Sequence, residues 1–389
     1  MSNSSSISRF FKPLASAAIF YYATLWLSVL VGVGTISQKY FGLHDSLAKY
    51  FSSWFIQPMD WPLWLPAGRL TMAVILVSLT TKLLVSTKWK LKNIGINITH
   101  LGVFTLMVGA VITAYTTIEG HVSIREGEEA SAFANSHEVE IAVTDRSNPD
   151  YDHTTTFTQG FFHSDQIFTD DKVPMSFKVL NHYMNCKPVA RPESESSANL
   201  RGRAANVMLE ELPADPKDRN LRGIELEVSG LPNNQDGVYI FIAHPEWKPA
   251  TLTGRDGVNY EVSLRARQHQ LPFSIYLKDF EKLNHAGTMM ARAYSSKVKV
   301  TQDESTEDIK IYMNHPLRRN GYTLYQASFD QSGVETTVLQ VVYNKGQIVP
   351  YLAVVVIFVG LLVHCFMQVP RLIVAAQKKN KKSQSSVNS

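Results

Sequence analysis

The amino-acid sequence predicts a membrane protein with four transmembrane α-helices and a large, mainly antiparallel β domain between the third and fourth helices. Three observations predict this fold class. Four stretches are apolar enough and long enough to cross a bilayer, which takes about 20 residues. The segment between the last two stretches alternates apolar and polar residues, as half-buried β-strands do. Three of the segments that flank the stretches contain basic residues and no acidic ones.

The apolar stretches predict transmembrane helices at residues 14–36, 69–87, 95–116 and 348–369. The second stretch is interrupted by Lys82, which lies near one end, where a long side chain can extend to the interface. The first stretch has a longer apolar core than a signal peptide, and no small-residue cleavage site follows it before Gln38. We therefore expect a retained helix.

Charge orients these helices. The residues at 1–13, the loop at 88–94 with Lys82 beside it, and the tail at 370–389 contain only basic charges. Because basic residues accumulate on the cytoplasmic side, we predict a cytoplasmic N-terminus, loop and C-terminal tail. The loop at 37–68 and the domain at 117–347 then lie outside, and the large domain is net acidic. The basic isoelectric point thus reflects topology, and no nucleic-acid partner is expected.

Lys378–Ser389 is expected to be a disordered basic tail. Its lysines are well placed to meet anionic membrane lipid on the cytoplasmic side.

The exported domain is expected to be an antiparallel β sandwich or barrel. Apolar and polar residues alternate in seven short segments, and glycine or proline separates many of them. These segments are residues 138–143, 223–228, 237–242, 296–300, 308–312, 322–328 and 336–343. The polar stretch Pro188–Arg203 has no apolar period and is predicted to be a mobile loop.

Three tryptophans lie in the first external loop: Trp54, Trp61 and Trp64. They are typical of the aromatic belt at a membrane interface. A surface for a flat aromatic ligand is the alternative interpretation.

The third span contains His100 within a stretch that has no Asp, Glu, Lys or Arg. An ionisable group in hydrocarbon is costly and marks a ligand, a proton path or a buried pair, and imidazole is a common ligand of haem iron. Asn93, Asn97 and His100 fall on one helical stripe. Spacing alone leaves His100 open between a ligand and a structural residue.

Two other features of the spans bear on the role of His100. Gly95, Gly102 and Gly109 recur every seven residues and predict a seam for close helix packing, available to a partner subunit. His364 in the last span lies at a depth similar to that of His100, so the two histidines could meet at one site. A histidine hydrogen-bonded to a neighbouring helix is the alternative for His364.

The remaining candidate is Cys186 in the exported domain. Lys187 beside it could lower the pKa of the thiol and suit it to thiol exchange. The other cysteine, Cys365, lies in the last span, so a disulfide between the two is not expected. The exported histidines have no metal-ligand spacing, and no catalytic motif is present.

At the level of motifs the chain resembles the ResB/CcsB-like family, the B subunit of the System II cytochrome c biogenesis complex. The resemblance is carried by short strings in the family's order along nearly the whole chain. They are Gly34-Thr35 with Gln38, Pro66 with Gly68-Arg69, Gly95-Ile96 with Thr99–Gly102, Glu119-Gly120, Glu126–Glu128, Leu271–Phe273, Asp279-Phe280, Ala293–Val298, Met313–Pro316, Gly321–Phe329, Leu339–Val342 and Val349–Tyr351.

The resemblance implies an assembly factor of the bacterial inner membrane, with the large domain on the periplasmic side. Together with a CcsA/ResC-like C subunit, such a protein delivers haem across the membrane. The complex keeps the haem reduced and supports its attachment to the CxxCH motif of apocytochrome c. The family's intramembrane histidine corresponds to His100, an axial ligand of haem b shared with the partner subunit. The chain would then be a required subunit of a holocytochrome c synthase rather than an enzyme on its own.

Three alternatives remain open at this stage. A b-type haem electron-transfer subunit would need two histidine pairs in its own spans, and this chain has only His100 and His364 there. A sensor would need a cytoplasmic output module, and the tail after Pro370 is short. A membrane-anchored thiol-redox factor for apocytochrome cysteines would depend on Cys186.

Overall fold

The structure is a computed structural model that describes residues 12–57, 62–87, 90–148, 151–195, 197–217, 219–288, 291–330 and 334–387. The chain forms two compact units. One is helical and comprises Met1–Lys39, Leu43–Thr117 and Asn344–Ser389, and the other comprises Tyr40–Gly42 and the β domain Ile118–Tyr343. Trp61 lies outside the described residues.

Four long helices are present in the described chain. They are α1 (Ala17–Tyr50), α2 (Gly68–Thr81), α3 (Ile94–Thr116) and α4 (Val349–Val387). A π-helical segment, Lys82–Ser86, extends α2. All four are long and apolar enough to cross a membrane. The predicted fold class, four such helices with a large antiparallel β domain between the third and the fourth, is confirmed.

Two helix ends differ from the prediction. Helix α1 runs past residue 36 to Tyr50, with a break at Gly42, whose φ of 77° is a conformation that glycine adopts without strain. Helix α4 runs through Pro370 to Val387, so the expectation of a disordered tail is wrong for the described residues up to 387. Lysine, glutamine and alanine favour helix, and a proline inside a helix kinks it without always ending it.

The described strands follow in chain order. They are β1 (Phe55–Ile56), β2 (Leu65–Pro66), β3 (Ile118–Arg125), β4 (Glu129–Asp145), β5 (His153–Thr158), β6 (Ile167–Asp170), β7 (Val173–Tyr183), β8 (Cys186–Ala190), β9 (Val207–Glu211), β10 (Gly223–Ser229), β11 (Gly237–Ile242), β12 (Ala250–Thr253), β13 (Asn259–Asn284), β14 (Ala291–Gln302), β15 (Ser305–Tyr312), β16 (Leu317–Arg319), β17 (Tyr322–Asp330) and β18 (Thr336–Tyr343).

The β domain is built on one ten-stranded antiparallel sheet of order β15-β14-β13-β4-β3-β18-β17-β16, with β12 beside β13 and β5 beside β4. A four-stranded sheet of order β11-β10-β7-β6 and the pair β8-β9 complete it. The long strands β4 and β13 pair along most of their length, and their register shifts between Ala266 and Gln268 and again between Gln270 and Ile275. Such irregularities bend a strand and increase its twist.

This bending gives the domain two cores. The four-stranded sheet covers one half of the large sheet, with Phe177 and Leu226 packed in the same core as Val262. The other half of the large sheet curls on itself, and the Phe280 and Phe329 rings, from β13 and β17, lie 5.6 Å apart. The domain therefore combines a sandwich with a partly closed barrel, in line with the antiparallel fold expected from the sequence.

The predicted loop at Pro188–Arg203 is partly wrong. Pro188 and Ala190 belong to β8, which pairs with β9. The Arg191 guanidinium donates hydrogen bonds to the carbonyls of Ala204, at 2.8 Å, and Val207, at 3.3 Å. These bonds are made to residues distant in sequence, which a local polarity pattern does not reveal.

Candidate ligand site in the helical unit

The imidazole of His100 is held by its own helix. Its Nδ1 lies 2.7 Å from the carbonyl oxygen of Ile96, one turn earlier in α3. A carbonyl oxygen only accepts, so Nδ1 carries the proton of this hydrogen bond. In the neutral ring the lone pair then belongs to Nε2. A hydrogen bond of this kind, in which the other ring nitrogen is fixed by a backbone carbonyl, is the usual arrangement of a metal-ligating histidine.

His100 is half-buried and lines a pocket of about 270 Å³. The start of α1, the end of α2 and the first half of α3 form its walls. The lining residues are Ala15, Ser16, Ala17, Phe20, Ser78, Leu79, Lys82, Thr99, His100 and Val103. Most of this surface is apolar, and Lys82 contributes a cation. The site thus combines one available imidazole nitrogen, one ammonium group and an apolar wall.

The start of α1 is fixed locally beside this pocket. The Ser16 side chain accepts a hydrogen bond from the Ala18 N–H at 3.2 Å and caps the helix. Serine at this position satisfies one of the amide groups that a helix start leaves unpaired. The cap determines where the first turn of α1 begins, and therefore where Phe20 lies in the pocket wall.

The predicted glycine seam on α3 is real, but its neighbour is α4 of the same chain. A Cβ atom on Gly102 would lie 2.8 Å from the backbone nitrogen of Ile357, and one on Gly109 would lie 2.9 Å from Cβ of Val349. Gly95 lies against the backbone of His364 in the same way. The expectation that this seam is available to a partner subunit is therefore wrong, because the backbones of α3 and α4 already meet there.

The same packing separates the two intramembrane histidines. Residues 95 and 100 differ by about 140° around a helix of 3.6 residues per turn. Gly95 faces the backbone of His364, whereas His100 faces the pocket between α1 and α2. Among the described residues that line that pocket, His364 is absent. A ligand role for His364 stays a prediction. Asn97, on the predicted polar stripe, is buried.

Cys186 lies in the β domain and is only 2% exposed. Burial, with a smaller contribution from the charge of Glu225, raises the pKa of the thiol to about 11. The expectation that Lys187 lowers this pKa is wrong, because burial has the largest effect on the thiol; the Lys187 ammonium group pairs with Glu210 at 3.0 Å. A thiol with such a pKa carries almost no thiolate near pH 7, and thiolate is the nucleophile in thiol exchange.

The sequence pattern did not indicate that Ser16 or Lys82 lies at the site of His100. One signal was available for Lys82, because it interrupts an otherwise uncharged span. An ionisable side chain in such a stretch is a candidate for function by itself. Nothing local in the sequence indicates that the start of α1 lies beside the first half of α3.

Comparison with known proteins gives a family match and a similar curated protein. Residues 250–338 match the model of the ResB-like family. The protein NrfI of Wolinella succinogenes is 22% identical over 357 residues, which cover 90% of this chain and 34% of that protein. This chain therefore spans about a third of the length of the curated relative it matches.

The two matches bear on different parts of the chain. The ResB-like match covers part of the β domain from β12 into β18, whereas the similarity to NrfI extends over nearly the whole chain. The predicted resemblance to the ResB/CcsB-like family is confirmed. The chain is a multi-pass membrane protein that carries a ResB-like region in its β domain.

Proposed function

We propose that this protein is a cytochrome c biogenesis factor that works as the B subunit of a haem-handling complex. In this proposal it acts with a CcsA/ResC-like C subunit in the bacterial cytoplasmic membrane. The complex delivers reduced haem to the outer face, where the haem is joined to the CxxCH cysteines of apocytochrome c. The ResB-like match and the similarity to NrfI support the role in cytochrome c biogenesis.

The observation that carries the proposal is the hydrogen bond of the His100 imidazole. Its Nδ1–H donates to the Ile96 carbonyl at 2.7 Å, so Nε2 can bind iron, and the pocket around it is mostly apolar. Bound haem would supply an iron atom that binds imidazole nitrogen, together with two carboxylates. His100 would hold the iron through Nε2, and the ammonium group of Lys82 would offset the charge of the carboxylates.

The size of the pocket supports a shared site. Pockets that enclose a drug-sized ligand measure about 300–1,000 Å³, and the pocket of His100 measures about 270 Å³. Haem is larger than a typical drug, so this chain would contact only part of it. Further protein contacts to the haem and the remaining wall would come from the C subunit.

A membrane-anchored thiol-redox factor is the competing function, and it would depend on the reactivity of Cys186. The burial of that thiol and its raised pKa do not favour it. A b-type haem electron-transfer subunit would require further histidine ligands within the same chain. We therefore keep the assembly factor as the proposal.

The experiment is an absorption spectrum of the full chain purified with its C subunit, wild type beside His100→Ala. We expect a reduced bis-histidine haem band in the wild type. The His100→Ala variant should lose or shift this band, and added imidazole should restore it because free imidazole can fill the position left by the side chain. The yield of mature cytochrome c in the same cells provides the second readout.

His364→Ala is the matched control, because it removes the other histidine of the spans. Under the proposal its spectrum resembles that of the wild type. An unchanged spectrum in His100→Ala, with normal cytochrome c maturation, would falsify the assignment of His100. A band that is lost only in His364→Ala would move the ligand role to that residue.

A further inference from the structure

A second pocket lies at the other end of the same helical unit. Its volume is about 460 Å³, and the start of α2, the end of α3 and the segment after α1 form its walls. The apolar part of the wall includes Met72, Leu76 and Met107. This volume lies within the range of about 300–1,000 Å³ that is usual for small-molecule sites.

Arg69 provides the charge of this pocket. Its guanidinium carbon lies 5.9 Å from the centroid of the Trp54 ring and 5.5 Å from that of the Tyr115 ring. In the part of the chain that the structure describes, no Asp or Glu pairs with Arg69. Cation–π contacts hold a guanidinium in place, but they leave its N–H groups able to donate to an oxyanion in the two-pronged geometry typical of arginine.

The position of Arg69 gives the pocket a polar end and an apolar end. Arg69 is the second residue of α2, and Tyr115 is the second-last residue of α3, so both lie near helix ends. Leu76 lies seven residues further along α2, which is about 10 Å deeper at 1.5 Å per residue. A cation at an interface above an apolar cleft is complementary to a molecule with an anionic head and a hydrocarbon chain.

We propose that this pocket, formed by Arg69, Trp54, Tyr115 and the apolar wall below them, is a binding site for one anionic phospholipid. The phosphate of the headgroup accepts hydrogen bonds from Arg69, and one acyl chain lies along Met72 and Leu76. The site is distinct from the pocket of His100 and does not depend on haem binding. It would anchor the start of α2 and the end of α3 to the lipid leaflet at that face.

Native mass spectrometry of the full chain in detergent tests this proposal, with phosphatidylglycerol and phosphatidylcholine of identical acyl chains as probes. We expect phosphatidylglycerol to bind in preference to phosphatidylcholine. Arg69→Gln should weaken phosphatidylglycerol binding at least about tenfold, because it removes charge-assisted hydrogen bonds. Ala73→Phe should also weaken binding, because it narrows the apolar part of the pocket and keeps the arginine.

Lys49→Gln is the control, because it removes a cation near the same end of the helical unit, and Lys49 is not among the described residues that line the pocket. Its lipid binding should equal that of the wild type. Equal binding of the two lipids, or full retention of phosphatidylglycerol in both Arg69→Gln and Ala73→Phe, overturns the proposal. Ala73→Phe keeps the test decisive if Arg69→Gln does not fold.

Discussion

At the residue scale, the β domain contains a half-buried histidine, His182, near a buried arginine, Arg222. His182 Nε2 is buried and has no hydrogen-bond partner within the described chain. Burial lowers the pKa of His182, and the positive charge of Arg222 lowers it further. Arg222 is itself buried and donates hydrogen bonds to the His137 carbonyl and to Gln159 Oε1. This arrangement favours the neutral imidazole.

We predict that the β domain loses stability as the pH falls below about 6.5, the pKa of an unfolded histidine. Below that pH the unfolded chain takes up a proton at residue 182 that the folded domain resists, so the free energy of unfolding decreases. Thermal unfolding of the full chain in detergent at pH 7.5 and pH 5.5 measures this effect.

His182→Gln is the informative variant in that experiment. It removes the titrating group, so its unfolding temperature should depend less on pH than that of the wild type. His153→Gln, which changes an exposed histidine of the same domain, should keep the pH dependence of the wild type. Equal pH dependence in all three proteins would contradict the assignment to His182.

At the element scale, the α3–α4 contact is the feature that organises the helical unit. The glycines of α3 face α4, and Gly360 of α4 in turn lies against Thr99 of α3. Small residues allow helix backbones in a membrane to approach closely, where packing and hydrogen bonds replace the hydrophobic effect. The contact also sets the orientation of α3 around its axis, and that orientation directs His100 toward the pocket.

We predict that Gly102→Leu destabilises the helical unit by about 1–3 kcal/mol, the usual cost of overpacking. The new side chain would meet the backbone of Ile357 and the carbonyl oxygen of Ala353, and backbone atoms cannot move aside as a flexible side chain can. Reversible unfolding of the purified protein in mixed detergent micelles, followed by circular dichroism, gives the change in free energy of unfolding.

Gly32→Leu serves as the matched control for that change. A Cβ atom on Gly32 of α1 would meet nothing within 4 Å, so the same substitution has room there. We expect a stability close to that of the wild type. If the two variants were equally stable, the close approach of α3 and α4 at Gly102 would not contribute to stability.

At the scale of the whole molecule, the chain order places one β domain between two membrane helices. Its strands run from Ile118, directly after α3, to Tyr343, shortly before α4. In the predicted topology α3 and α4 cross the membrane in opposite directions, so the end of α3 and the start of α4 lie on the same side. The proposed orientation puts that side outside the cytoplasm, because basic residues without acidic ones flank the opposite helix ends.

We predict that Asp171→Cys is labelled by a membrane-impermeant maleimide in intact spheroplasts, and that Leu91→Cys is labelled only after permeabilisation. Both parent side chains are exposed, one between β6 and β7 and the other between α2 and α3. The experiment uses a background in which Cys186 and Cys365 are replaced by serine. Labelling of Leu91→Cys alone in intact spheroplasts would reverse the proposed topology.

Much of the architecture was predictable because its signals are local. Apolar stretches of sufficient length predict membrane helices, and period-2 alternation predicts strands such as β10, at Gly223–Ser229, and β18, at Thr336–Tyr343. The glycine spacing on α3 predicted a close helix contact. The extension of α1 to Tyr50 was not predictable from hydropathy, because that part of the helix is more polar than a membrane span.

The sequence by itself determined the four membrane-spanning segments, the antiparallel β domain and the histidine at position 100, because hydropathy, periodicity and charge are properties of neighbouring residues. Only the tertiary structure decided that the glycine seam of α3 meets α4, that His100 shares a pocket with Lys82, and that Cys186 is buried. These facts depend on contacts between residues far apart in the chain. A local pattern indicates which face of a helix is small or polar, but the packing of the whole chain determines what that face touches.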